Sequence, residues 1–149
     1  MQITEFLTPD CTLCGITGGS KKRLFETIAQ FAGELNVELD PEDIFDGLLT
    51  RERLGSTGIG DGVAIPHCRL PECDKTIGIL MTLEQPIDYD SMDGTPVDLV
   101  FTLLVPENEA NTHLEALKAI AEKFSQPLFR SALREATGNQ ILYDRATSA

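Results

Sequence analysis

The amino-acid sequence predicts an α/β protein folded as an α/β/α sandwich. Three observations lead there. Segments whose apolar residues recur at helical spacing are interspersed with short strand-like runs. One run, Val97–Val105, is almost wholly apolar, as suits a strand covered on both faces. The chain has 149 residues, 42% of them hydrophobic, which is enough for one ordinary domain with a well-buried core.

The elements follow in order. Residues 11–17 predict a short first strand, ended by Gly18-Gly19. From Ser20 to Asn36 the residues Leu24, Phe25, Ile28, Phe31, Ala32 and Leu35 mark the buried face of a helix, with Ser20 as its N-cap. Asp40-Pro41-Glu42-Asp43 reads as a cap, a proline at the first helical position and acids in the first turn. Ile44, Phe45, Leu48 and Leu49 give this second helix its apolar face. From Leu54 to Leu70 four glycines break any helix, and one apolar piece, Val63-Ala64-Ile65, leads into Pro66-His67. Thr76–Leu83 and Val97–Val105 predict strands, separated by a turn at Asp93-Gly94. The remainder predicts helices over 112–124, 126–135 and 140–145, the first opened by a capping box of Thr112 and Glu115. Strand order is not readable from these patterns.

The net charge is −12, which argues against broad binding to nucleic acid or anionic lipid, because phosphates reward Lys and Arg. No apolar run reaches the roughly 18 residues of a membrane span, so no membrane insertion is expected. Residues 1–10 lack the pattern of a signal peptide, and a cytoplasmic location is the default expectation. Of the four cysteines, Cys11 and Cys14 have a metal or redox spacing, and with Cys68 and Cys73 they could frame a zinc site of four thiolates. The second pair is loosely spaced for zinc and Thr12-Leu13 reads as strand, so ordinary reduced thiols are the expectation.

The chemistry concentrates between Arg51 and His67. A Gly-rich stretch lets backbone N–H groups approach an anion. It is not a P-loop, since no Gly-Lys-Ser/Thr follows, nor a dinucleotide fingerprint, since the strand–turn–helix context is missing. Pro66 fixes the backbone before His67 and biases Ile65 towards extended conformations, which can hold an imidazole at a strand end. A neutral imidazole is a competent nucleophile near pH 7. Phosphoryl transfer needs positioning and charge stabilisation, and Arg51 offers a guanidinium fork for the equatorial oxygens. His113, expected at a helix start, would stay neutral there and could donate an N–H to a phosphoryl oxygen. The bland alternatives stand beside these. A lone histidine after proline is more often a turn or core residue, Arg51 and Arg53 could be a solvated helix end, and Lys21-Lys22-Arg23 reads as a solvated face. The glycines could form a purely structural loop.

The wording Leu48-Leu49-Thr50-Arg51-Glu52, Leu54-Gly55-Ser56-Thr57-Gly58-Ile59-Gly60 and Gly62-Val63-Ala64-Ile65-Pro66-His67 closely resembles the type-2 IIA domain of the bacterial phosphoenolpyruvate-dependent phosphotransferase system, the mannitol/fructose class. The Gly-Ser-Thr-Gly-Ile-Gly stretch is most similar to the nitrogen-regulatory branch. The likeness continues through Pro96–Val100, Leu104-Val105-Pro106 and His113-Leu114, and implies a single domain over residues 3–145. It implies a three-layer α/β/α sandwich with a small mixed sheet. It implies a phosphoacceptor at His67, on Nε2, with His113 and Arg51 stabilising the phosphoryl group and Thr57, Gly58 and Gly60 in the phosphoryl-site loop. The implied donor is a small phosphocarrier protein of the HPr type, or NPr in the nitrogen branch. No metal, nucleotide or other cofactor is implied. The downstream partner would be a regulatory target or, in the sugar branch, a fructose/mannitol-class IIB permease component. Cys68, where many relatives carry a small residue such as Gly, raises the expectation of an oxidation-sensitive site. A metal or redox protein built on the cysteines is the remaining alternative.

Overall fold

The computed structural model describes residues 1–148, and among them six strands form one mixed sheet accompanied by five helices. Two short 3-10 turns, Ile3–Glu5 and Pro9–Cys11, come first. Then follow β1 (Thr12–Ile16), α1 (Lys21–Leu35), α2 (Pro41–Arg53), β2 (Gly58–Gly60), β3 (Val63–Ala64) and β4 (His67–Leu70). The second half contains β5 (Ile77–Ile87), β6 (Val97–Pro106), α3 (Ala110–Phe124), α4 (Pro127–Arg134) and α5 (Asn139–Thr147). The sheet order is β1-β5-β6-β3-β2, with β4 also on β6. β5 and β6 are antiparallel, as are β2 and β3, whereas β1 runs parallel to β5, and β3 and β4 run parallel to β6.

β6 is the central strand, and its apolar composition follows from that position. Every residue of it except Asp98 is buried. α1 and α2 pack together, α1 against β5 and α2 against β4; α3 and α4 pack on β6, and α5 on β1. The core is one continuous cluster that draws on all of these layers.

The helix starts of the first half are those the sequence announces. Ser20 accepts from Arg23 N–H (3.1 Å), and Asp40 from Glu42 N–H (2.9 Å) with Pro41 next to it. The third helix departs from expectation. It begins at Ala110 with Glu109 as N-cap, so Thr112 is already inside it and the expected capping box with Glu115 does not form. β5 extends to Ile87, beyond the predicted Leu83, and turns at Asp93-Gly94, where Gly94 has φ +75°.

The larger difference lies in the glycine-rich segment, which is sheet rather than loop. β2 and β3 form a tight hairpin, and β3 and β4 lie along the same edge of β6, Val63 beside Leu99 and His67 beside Leu103. Pro66 sits at the break between them; it has no N–H to donate, while its carbonyl accepts from Leu103 N–H (3.0 Å). Strands of two to four residues are too short for periodicity to reveal. His67 therefore opens β4, where a position at the end of a strand was expected.

Candidate functional site

A cleft of about 980 Å³ opens beside His67, walled by α2, β4 and the start of α3. Side chains alternate along β4: Cys68 and Leu70 are buried while His67 and Arg69 are more open, and Cys68 borders the cleft together with His67 and Arg69. The His67 ring is half-buried, and its Nδ1 lies 2.8 Å from the Ile65 carbonyl oxygen. A carbonyl only accepts, so Nδ1 carries the proton and Nε2 keeps its lone pair. Burial lowers the proton affinity of His67 below the usual histidine value, and the Arg51 charge lowers it further. The Ile65 hydrogen bond and the Glu52 charge oppose this without reversing it. The imidazole is therefore neutral at pH 7.

His113 lies in the first turn of α3, with its ring centroid 5.1 Å from that of His67 and the two planes tilted by 56°. Burial, then the neighbouring His67, Arg69 and Arg51, pushes its pKa down to about 4. Its Nδ1 is buried and makes no hydrogen bond among the described residues. A buried N–H without an acceptor is the costlier arrangement, which favours the proton on Nε2. Arg51, in the last turn of α2, lines the same cleft; its guanidinium donates to the Gly55 carbonyl (2.9 Å) and makes no ion pair among the described residues. His113, from a distant part of the sequence, thus meets His67 and Arg51 in one place.

Thr57, Gly58 and Gly60 do not line this cleft. Thr57 N–H and Oγ1–H both donate to the Glu52 carboxylate, at 3.1 and 2.6 Å, so neither is available to an anion. Gly58 lies against Ser91, where an added Cβ would approach Ser91 Oγ to 2.3 Å, and Gly60 faces Asp93. Their contacts are internal, and they stand outside the cleft lining where a phosphoryl-site loop was expected.

Sequence reasoning missed several residues of the cleft. Arg69 stands two positions along β4 from His67; that period-two relation would have shown it had β4 been recognised. Leu54 and Leu114 are 82% and 64% exposed at the rim, and Asp46 and Glu107 place carboxylates there. Lys21, expected in a solvated face, is instead half-buried and bonded to Glu52 (3.0 Å). The cysteines do not gather. Cys11 and Cys14 flank and enter β1, and no group of metal-ligating side chains occurs among the described residues. Cys68 is buried against Gly47 of α2 at the edge of the same cleft, and burial pushes its thiol up to about 12. A buried, protonated thiol is a weak nucleophile, which argues against the expected sensitivity to oxidation.

Comparison with known proteins bears on the family and the fold. The family model for the phosphoenolpyruvate-dependent sugar phosphotransferase system, EIIA 2, matches residues 5–146. The nitrogen regulatory protein of Pseudomonas aeruginosa is 45% identical over 143 residues, covering 96% of this chain and 93% of that protein. The fructose-specific EIIABC component of Bacillus subtilis is 33% identical over 147 residues, which span 97% of this chain and 23% of that much longer protein. The crystal structure of the nitrogen regulatory protein IIA-Ntr from Neisseria meningitidis superposes with a TM-score of 0.90 at 40% identity, covering 97% of this chain and 99% of that one. A near full-length match in sequence and in fold, with both histidines and the arginine converging on one cleft, gives one answer: the chain belongs to the EIIA type-2 family of the phosphoenolpyruvate-dependent phosphotransferase system.

Proposed function

We propose that this protein carries a phosphoryl group on Nε2 of His67, receives it from a small phosphocarrier protein of the HPr or NPr type, and serves as a nitrogen-regulatory IIA component. The observation that carries the reading is the Nδ1–H bond to the Ile65 carbonyl, which leaves the Nε2 lone pair to act. The Nε2 lone pair attacks phosphorus, the Nε2–P bond forms as the donor's bond to phosphorus breaks, and the donor's leaving atom takes that electron pair. No base is needed, because Nε2 has no proton to lose. Arg51 turns its guanidinium from Gly55 towards the equatorial oxygens, and His113, neutral, donates Nε2–H to one of them. The open cleft and its exposed leucines suit a protein donor, which must bring its own phosphorylated residue to His67. The unit is one domain over residues 3–145. Among the described residues no helix is long and apolar enough to cross a membrane, and the protein acts in the cytoplasm with its donor.

The regulatory role rests on the identity to nitrogen regulatory proteins. The likeness to a fructose-specific component supports a second reading, in which the phosphoryl group passes to a IIB permease component. Incubation with phosphoenolpyruvate, the first enzyme of the system and its small carrier tests the common step. One acid-labile phosphoryl group per chain is expected, absent from His67→Ala; label that persists in that variant overturns the reading. Transfer onward to a purified fructose-class IIB domain, at a rate matching uptake, would decide for the second branch.

A further inference from the structure

Behind the cleft lies a buried carboxylate with no part in the steps above. Glu52 sits beside Arg51 in the last turn of α2, is 8% exposed, and points into the protein. A buried charge is costly unless its lone pairs are filled. Here every neighbour is a donor. Thr57 gives its N–H (3.1 and 3.2 Å to the two oxygens) and its Oγ1–H (2.6 Å), and Lys21 gives Nζ–H (3.0 Å). The Tyr89 hydroxyl, 2.8 Å from Thr57 Oγ1, completes the group, and the Lys21 ammonium lies 4.8 Å over the Tyr89 ring. Burial raises the Glu52 carboxyl, but these hydrogen bonds outweigh it and hold it below its ordinary value.

The group held so tightly is Thr57, and Thr57 leads back to the nucleophile. Its carbonyl accepts from Ile65 N–H (2.9 Å), and the carbonyl of Ile65 accepts from Nδ1–H of His67 (2.8 Å). Glu52, Thr57, Ile65 and His67 are linked in series by hydrogen bonds that run through the backbones of Thr57 and Ile65. We propose that Glu52 is a positioning residue for phosphoryl transfer, acting through Thr57 and the Ile65 carbonyl to fix the orientation and tautomer of His67. This rests on His67 being the phosphoacceptor.

A glutamine at this position must turn its NH₂ towards one of these donors, so Glu52→Gln breaks the clamp at nearly constant volume. We expect its kcat for phosphoryl uptake to fall by up to about 10²-fold, as misplacement of a reacting group does, with KM for the donor carrier unchanged. The imidazole ¹⁵N spectrum of His67, a single Nδ1–H tautomer in native protein, should become a mixture. Thr57→Val, which removes one donor and keeps the shape, should shift both readouts in the same direction, and Thr57→Ser should restore them. If Glu52→Gln does not fold, the threonine pair carries the test. Native kcat in the folded variants, or slow transfer with the native tautomer intact, overturns the proposal. Failure of the native protein to label His67 would instead overturn the phosphoacceptor reading.

Discussion

Two arginines, Arg134 of α4 and Arg51 of α2, are used in opposite ways. Arg134 of α4 grips Asp98 with Nε and a terminal nitrogen (3.1 and 2.9 Å) and donates again to the Asp61 carbonyl (2.6 Å). Its charge is spent on a carboxylate, fastening α4 to the hairpin. Arg51 donates to a neutral carbonyl and meets no carboxylate among the described residues. A guanidinium held by a neutral acceptor keeps its charge for an incoming anion, at little cost when that weak partner is exchanged. Residue type does not separate a clasp from an anion site; the neighbour's charge does.

The largest effect expected is on Arg51. Arg51→Ala should slow phosphoryl uptake by about 10²–10³-fold, as loss of one donor to a developing anion does, and His113→Ala should act in the same direction. A drop of less than a few-fold in single-turnover assays would remove that residue from the site. Arg134→Ala should leave uptake within a few-fold of native and instead lower unfolding stability by about 0.5–1 kcal/mol in urea titrations, since the pair is partly solvent-screened. Uptake lost as severely as in Arg51→Ala would break the comparison.

The pH response sharpens it further. Both histidines have folded pKa values below their unfolded values, so the unfolded chain binds protons first as pH falls. Stability should therefore decline from about pH 6.5 downwards, for His113 until about pH 4, and His113→Gln should flatten that decline. NMR titration should place the His67 midpoint below 6.5 and that of His113 near 4. A midpoint for either at or above 6.5 would contradict the neutral site. The smallest effect concerns Cys68, where mild peroxide should leave uptake unchanged, in native protein and in Cys68→Ser alike, because the thiol is buried and protonated. A loss in native protein alone would restore it as a sensitive position.

Much of the fold was legible in the residues. The apolar run of β6, the caps at Ser20 and Asp40, and the helical spacing of α1 and α2 are local signals with local outcomes. β2, β3 and β4 were not legible, because strands of two to four residues are made by their partners rather than by propensity. The site was legible in its chemistry and not in its architecture. His67 and Arg51 stand in one motif, but the tautomer comes from the Ile65 carbonyl, and the glycine loop that reads as an anion cradle is occupied from within by Glu52. Lys21 was misread for the same reason: its carboxylate partner lies 31 residues away.

The most direct test is the ¹⁵N–³¹P spectrum of the phosphorylated protein with labelled histidines. The account predicts coupling of phosphorus to Nε2 of His67, with Nδ1 still protonated. Phosphorus on Nδ1, on His113 or on no histidine would contradict it.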